Sequence, residues 1–347
     1  MKRFGDLILA VLTRGAAACV VLMLAVLLGV LLLNAAPSVR QFGAKFLVSS
    51  QWRPNEVERP VRDAAGKLVF ADGEVVTETI PPAFGALPVM YGTAMTSIIA
   101  LLFAVPLSLG SALFIVRVAP GLRIAGPVSF LVEFLASIPS IAYGIWGLFV
   151  LAPFLREYVE PWMARVLGAI PGLGWSVSER IVSGGEVIVK PIPLTGRDLL
   201  CGGLILGIMI LPIITAVSRD VLRTVPRGQI EGTVALGATW WQSCVGMLKY
   251  SRSGLFGAVM LGLARAAGET MAVVMVIGNN NQIVPSPFAP AQTMSSLLAN
   301  EFAEASTGLH SSALLQVAMV LLVMSLVFNV VARKLVVGKG GRTAASA

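Results

Sequence analysis

The sequence predicts an all-α membrane protein that crosses the bilayer six times. Three observations carry that expectation. The 347 residues are 56% hydrophobic and only 13% charged, with a mean hydropathy of +0.84. A soluble domain carries about 25% charged residues. Six apolar runs stand out, at Leu7–Leu33, Val89–Val116, Val128–Phe154, Leu199–Ser218, Ser253–Gly278 and Ser311–Val331. Each approaches or exceeds the roughly 20 residues needed to span hydrocarbon. Finally, the charges outside these runs sort by side.

Taken in order, residues 1–34 read as an anchor helix. The apolar core is too long for a secretory leader, and no small-residue cleavage site follows cleanly. Residues 35–88 form a polar outer loop rich in Pro and Gly. Its stretch Arg59–Thr79 alternates charged and small residues, and Asp72-Gly73 is a turn dipeptide suited to a small hairpin. A core domain follows over 89–335, with an outer insertion at 155–198 and a cytoplasmic loop at 219–252. Pro106, Pro139, Pro153 and Pro212 lie in its apolar runs. Each removes a helical hydrogen bond and crowds the preceding turn. Residues 336–347 read as a disordered tail.

Flanking charge sets the orientation. One set of connections holds Lys2, Arg3, Arg14, Arg117, Arg123, Arg219, Arg223, Arg227, Lys249, Arg252, Arg333, Lys334, Lys339 and Arg342. Against these fourteen cations stand only Asp6, Asp220 and Glu231. The opposite connections carry eleven basic and thirteen acidic residues. Both termini are therefore expected in the cytoplasm. This distribution also argues against nucleic acid as the reason for a pI near 9.8, and 7% aromatic residues offer no repeated stacking platform. Cys19, Cys201 and Cys244 show no metal-ligand spacing and read as reduced filler. His310, the one histidine, sits just before an apolar run and reads as an interface residue. No metal, cofactor or nucleophile–base set is expected.

Arg265 and Glu269 are the exceptional residues. They are the only charges in the apolar stretch Gly254–Gly278. Helical spacing of four places them on one face, a turn apart. Intramembrane charges are costly and mark solute pathways by default. The alternative is a buried ion pair that fixes packing, but Arg preceding Glu is the weaker helical order. Glu133 lies near the cytoplasmic end of its run and is expected to pair with Arg117 or Arg123. Thr93, Thr96, Ser137 and Ser140 are candidates for hydrogen bonds to helix carbonyls or to an anion.

The loop 219–252 carries the second signal. Pro226 suits the start of a short helix, and Gly237 permits a sharp turn. A second short helix then places Trp240 and Trp241 near its start. A helix–Gly–helix with aromatic anchors can dock in a groove on a soluble partner. It can equally rest on lipid headgroups.

Glu231-Gly232-Thr233, three residues, then Gly237 resembles the EAA loop of ABC importer permeases. Glu231 and Gly237 match, whereas Gly232 and Thr233 replace alanines. Lys249-Tyr250 stands where the motif usually has Leu-Pro, so the second helix is expected to run on. More widely, Phe84–Gly110, Phe130–Pro153, Leu211–Pro226, Leu263–Asn279 and Pro285–Ala305 resemble PstC-type phosphate permeases, from Phe84 to about Arg333. The resemblance implies a type I, MetI-like importer core. It implies coupling helices that dock on a dimer of ATPase subunits, a PstA-like second permease and a periplasmic phosphate-binding protein. ATP hydrolysis belongs to the partner, since this chain has no GxxxxGK[ST] loop.

The family's RAxGE pattern matches Arg265, Gly268 and Glu269. Arg offers a planar fork of donors suited to phosphate oxygens. Arg265 is thus expected to meet phosphate in transit, with Glu269 pairing with Arg265 or the second permease when the path is empty. One Arg does not distinguish phosphate from sulfate, molybdate or phosphonate. A membrane sensor or scaffold remains the reading from a different class.

Overall fold

A computed structural model describes residues 2–61, 70–71, 74–122, 124–171, 174–183, 186–305 and 308–340. Helices α1 (Lys2–Phe42) and α2 (Lys45–Val48) come first. Strands β1 (Val57–Pro60), β2 (Phe70–Ala71), β3 (Glu74–Val75) and β4 (Thr77–Ile80) follow. Next come α3 (Leu87–Leu113), α4 (Ala125–Ser137), α5 (Ser140–Trp146), α6 (Ala152–Phe154) and α7 (Glu160–Ala169). Strands β5 (Ser178–Ser183) and β6 (Glu186–Pro191) lead to α8 (Leu199–Arg223), α9 (Arg227–Ala235) and α10 (Trp240–Tyr250). The chain ends with α11 (Arg252–Gly268), α12 (Met271–Val276), α13 (Met294–Glu301) and α14 (Gly308–Gly340).

The chain divides into two units. Residues 1–85 and 301–320 form the first, and residues 86–300 and 321–347 the second. In the first, β1 pairs antiparallel with β4, and β2 with β3 in the register Phe70↔Val75. The strand pairing expected around Asp72-Gly73 is present, though the turn itself lies outside the described residues. His310 is buried. Its Nε2 lies 3.0 Å from Glu301 Oε2, and its ring stacks on Phe84. The same carboxylate oxygen accepts a 2.7 Å hydrogen bond from the Trp52 indole.

The second unit is organised around α3 and α8. Their close approach follows from small residues: a Cβ on Gly203 would sit 2.5 Å from Ile99, and one on Gly207 2.9 Å from Phe103. Small residues four apart let membrane helices pack without a hydrophobic driving force between them. Ala100, Ala104, Leu206, Ile210 and Ile214 fill the seam. Gly203→Leu is expected to destabilise this seam by about 3 kcal/mol through overpacking. A lowered unfolding temperature of the purified chain would report it.

The all-α membrane architecture is present, but the crossings are not six unbroken helices. Four described helices are long and apolar enough to span alone: Leu9–Phe42, Leu87–Val118, Leu199–Arg223 and Gly308–Val330. A bent pair, Ala125–Ser137 with Ser140–Ala169, makes a fifth if read as one broken span. Its 90° bend sits at Pro139. The residue before proline is pushed out of the helical region, and Ile138 is extended at φ −67, ψ 129. Pro106 and Pro212 stay inside continuous helices. The remaining stretch, Ser253–Gly278, is two helices, and its break is the centre of the candidate pathway.

The outer insertion also holds structure that alternation of β-branched residues could have signalled. Strands β5 and β6 pair antiparallel from Ser178↔Pro191 to Ser183↔Glu186.

Candidate functional site

Arg265 occupies the last turn of α11, and the helix stops at Gly268. At 17 residues α11 is about 26 Å long, short of a roughly 30 Å hydrocarbon core. Glu269 is extended at φ −71, ψ 133. The expectation that Arg265 and Glu269 share one continuous helical face is therefore corrected. The cause is local. Gly268 carries a high helical entropy cost, and the Glu269 N–H bonds back to the Ala266 carbonyl at 3.3 Å. The Ser295 hydroxyl then donates to the Glu269 carbonyl at 2.6 Å, taking an acceptor that a continuing helix would use. The Thr270 hydroxyl donates to the Gly268 carbonyl at 3.3 Å.

Arg265 is exposed at the surface of its unit and Glu269 is half-buried. Arg265 and Glu269 form no ion pair with each other: the described ion pairs are Arg219–Glu133, Arg219–Asp220 and His310–Glu301. A cation in the last turn of a helix faces the negative end of the backbone dipole. That placement leaves its fork available, since Arg265 makes no ion pair among the described residues.

Serine and threonine near this region act structurally. Thr93, Thr96 and Ser137 donate to the carbonyls of Val89, Gly92 and Phe134 at 2.7–2.8 Å. Thr93 Oγ1 also accepts from the Met294 N–H at 2.9 Å, which seats the start of α13. Glu133 does not pair with Arg117, and Arg123 lies outside the described residues. Instead Arg219 Nη1 donates to Glu133 Oε1 at 3.0 Å, joining α4 to α8. Arg219 wins because it lies near the C-terminal end of α8, the helix that α4 packs against.

The loop at 219–252 folds as a helix–turn–helix, as the sequence suggests. Pro226 precedes α9 directly, and the chain reverses at Gly237, whose φ is +81. That left-handed conformation disfavours residues with a Cβ. Thr239 caps α10: its hydroxyl accepts from the Gln242 N–H, while the Gln242 side chain accepts from the Thr239 N–H at 2.8 Å. This reciprocal box satisfies two helix-end donors. Cys244 and Met247 turn inward, and Met247 packs with Leu222, Val225 and Leu255. On the other side α9 buries no residue at all. Leu236 is 90% exposed, Trp240 55% and Trp241 63%. Glu231 lies on the exposed helix α9. Against the expectation that α10 runs on, it stops at Tyr250. Ser251 alone separates it from α11.

The sequence reading missed one polar cluster. Glu160 and Asp198, 38 residues apart, are both fully buried in the second unit. Only the position of Asp198, immediately before an apolar run, signalled its capping part.

Comparison with known proteins places this geometry. Residues 104–337 match the family model described as binding-protein-dependent transport system inner membrane component. A Mesorhizobium japonicum protein named phosphate transport system permease protein PstC is 39% identical, over 99% of this chain and 94% of its own length. Proteins of the same name from Haemophilus influenzae and Xylella fastidiosa are 36% and 41% identical, over 91% and 72% of this chain and 88% and 73% of their own. A solved chain of the MetNI methionine ABC transporter, inward-facing, aligns with 72% of this chain and 93% of its own. Its identity is 17% and its TM-score 0.48. The chain belongs to the family of binding-protein-dependent transport system inner membrane components.

Proposed function

We propose that this chain is the permease subunit of an ATP-driven importer that moves inorganic phosphate across the bacterial plasma membrane. The carrying observation is near full-length similarity to proteins named phosphate transport system permease protein PstC, at 39% identity over 99% of the chain. Both termini lie in the cytoplasm, as the asymmetry of basic residues requires. The companions are a PstA-like second permease, two ATPase subunits and a periplasmic phosphate-binding protein, with lipid around α1. This subunit hydrolyses nothing; ATP is consumed by the ATPase pair.

Arg265 is the transient contact for phosphate. A doubly or singly charged oxyanion needs a cation inside a low-dielectric bundle. The open carbonyls at the end of α11 would otherwise repel it. Glu269 has no salt-bridge partner among the described residues, and it pairs across the interface with the second permease when the path is empty. Repulsion by that carboxylate keeps phosphate from lodging on Arg265. Glu231, Gly237, Trp240 and Trp241 form the coupling element. The exposed α9, the Gly237 turn and the two indoles enter a groove on the ATPase.

The test is radiolabelled phosphate uptake by the reconstituted complex, with and without ATP. ATP-dependent phosphate uptake is expected, with phosphate bound by the binding protein in preference to sulfate and molybdate. Uptake of sulfate or molybdate alone would replace the cargo. An assembled complex with no ATP-dependent flux of any anion would replace the transporter by a scaffold.

A further inference from the structure

Glu160 opens α7 and Asp198 caps α8, and both carboxyls have no accessible surface. Asp198 Oδ1 accepts a 2.8 Å hydrogen bond from the Cys201 N–H. Glu160 Oε2 accepts one from the Gly196 N–H at 3.3 Å. The other two oxygens, Glu160 Oε1 and Asp198 Oδ2, are buried and receive no donor from the protein. Glu160 is held by the Gly196 N–H, two residues before Asp198, and the two carboxyls act on each other's charge. Two ionised carboxylates have only acceptors and could not bond to each other. Two buried like charges in contact are also costly, and such pairs keep a proton.

We propose that Glu160 and Asp198 form a proton-binding site in which one shared proton joins the two carboxyls and ties α7 to the start of α8. The surroundings enforce the pairing. Gly196 has φ +70, and a Cβ there would lie 2.0 Å from the Ala152 carbonyl. Its N–H is thereby pressed toward Glu160. The charged group acting on the pair is Arg156, on the turn before α7, while the Cys201 thiol in the first turn of α8 is itself acted on by both carboxyls. Arg156 is exposed, so water screens its offer of a positive charge. Burial, with the Glu160 charge adding to it, pushes the Asp198 carboxyl up to about 8. The folded state then holds a proton that the unfolded chain has released. Stability therefore falls as pH rises from the ordinary carboxylate range through about 8, and the lock opens above that. In the orientation proposed above, on which this one statement rests, the lock faces outward and reads external pH.

The test is the unfolding temperature of the purified full chain between pH 6 and pH 9.5 — about two units either side of the titration. Wild type is expected to lose stability across this range. In Glu160→Gln the amide donates to Asp198 without a shared proton. It should keep the wild-type unfolding temperature at pH 6 and lose at least half of the pH slope. Asp198→Asn keeps an acceptor for the Cys201 N–H and should flatten the slope likewise. Glu160→Ala should be destabilised at every pH. The proposal is overturned if wild type shows no slope, or if both amide variants keep the wild-type slope. It is equally overturned if Glu160→Gln at pH 6 is as unstable as Glu160→Ala. The measurement stands whatever solute the complex carries.

Discussion

Arg265→Gln is expected to lower ATP-dependent phosphate uptake about 100-fold while the complex assembles at its normal membrane level. The substitution keeps a polar, hydrogen-bonding side chain but shortens it and removes the charge. Charge-assisted hydrogen bonds are worth about 1.5–3 kcal/mol each, and a bidentate pair makes two of them. Losing about 3 kcal/mol of them during passage corresponds to roughly two powers of ten in rate. Assembly should survive because Arg265 is exposed on its own subunit and pairs with no acid among the described residues. This answers the packing alternative directly. A buried structural ion pair would cost about 3–5 kcal/mol of stability when broken, and the complex would be depleted. Arg265→Lys separates charge from shape: it keeps the cation, loses the fork and should fall between wild type and the Gln variant. Wild-type uptake by Arg265→Gln would remove this residue from the pathway.

The second large effect is expected at the coupling element. Replacing both Trp240 and Trp241 with Ala should release the ATPase subunits from the membrane complex and abolish uptake. The two indoles are 55% and 63% exposed, on the first turn of a helix whose opposite side is packed. Aromatic anchors of this kind typically cost at least about 2 kcal/mol when truncated in an interface. That is roughly 30-fold in affinity for each residue. Folding of the loop should be spared, because Thr239, Gln242 and Met247 hold α10 without the indoles. Copurification of the ATPase with the permease pair measures the effect. Retained ATPase with undiminished uptake would place the indoles in lipid headgroups instead.

The sequence and the structure contributed different parts of these arguments. Hydropathy marked the four helices long and apolar enough to span alone. The coupling loop was legible almost in full. Pro226 and Gly237, eleven residues later, are local signals, and each acts through its own backbone. The break at Glu269 was not legible. Arg265, Gly268 and Glu269 fit a helix by spacing, and what stops it is Ser295, 26 residues away, capturing a carbonyl. Glu133 found Arg219, 86 residues distant, rather than the nearer Arg117. The Glu160–Asp198 pair was hidden for the same reason.

From sequence alone came the membrane class, the family and the candidate residues, because apolar length, turn chemistry and motif spacing are properties of contiguous chain. Only the tertiary structure decided which charges meet, where the fifth apolar stretch breaks and which carboxyls lose their water. Those outcomes depend on packing between distant segments, where one donor in reach of a bare carbonyl or carboxylate outweighs local helical preference.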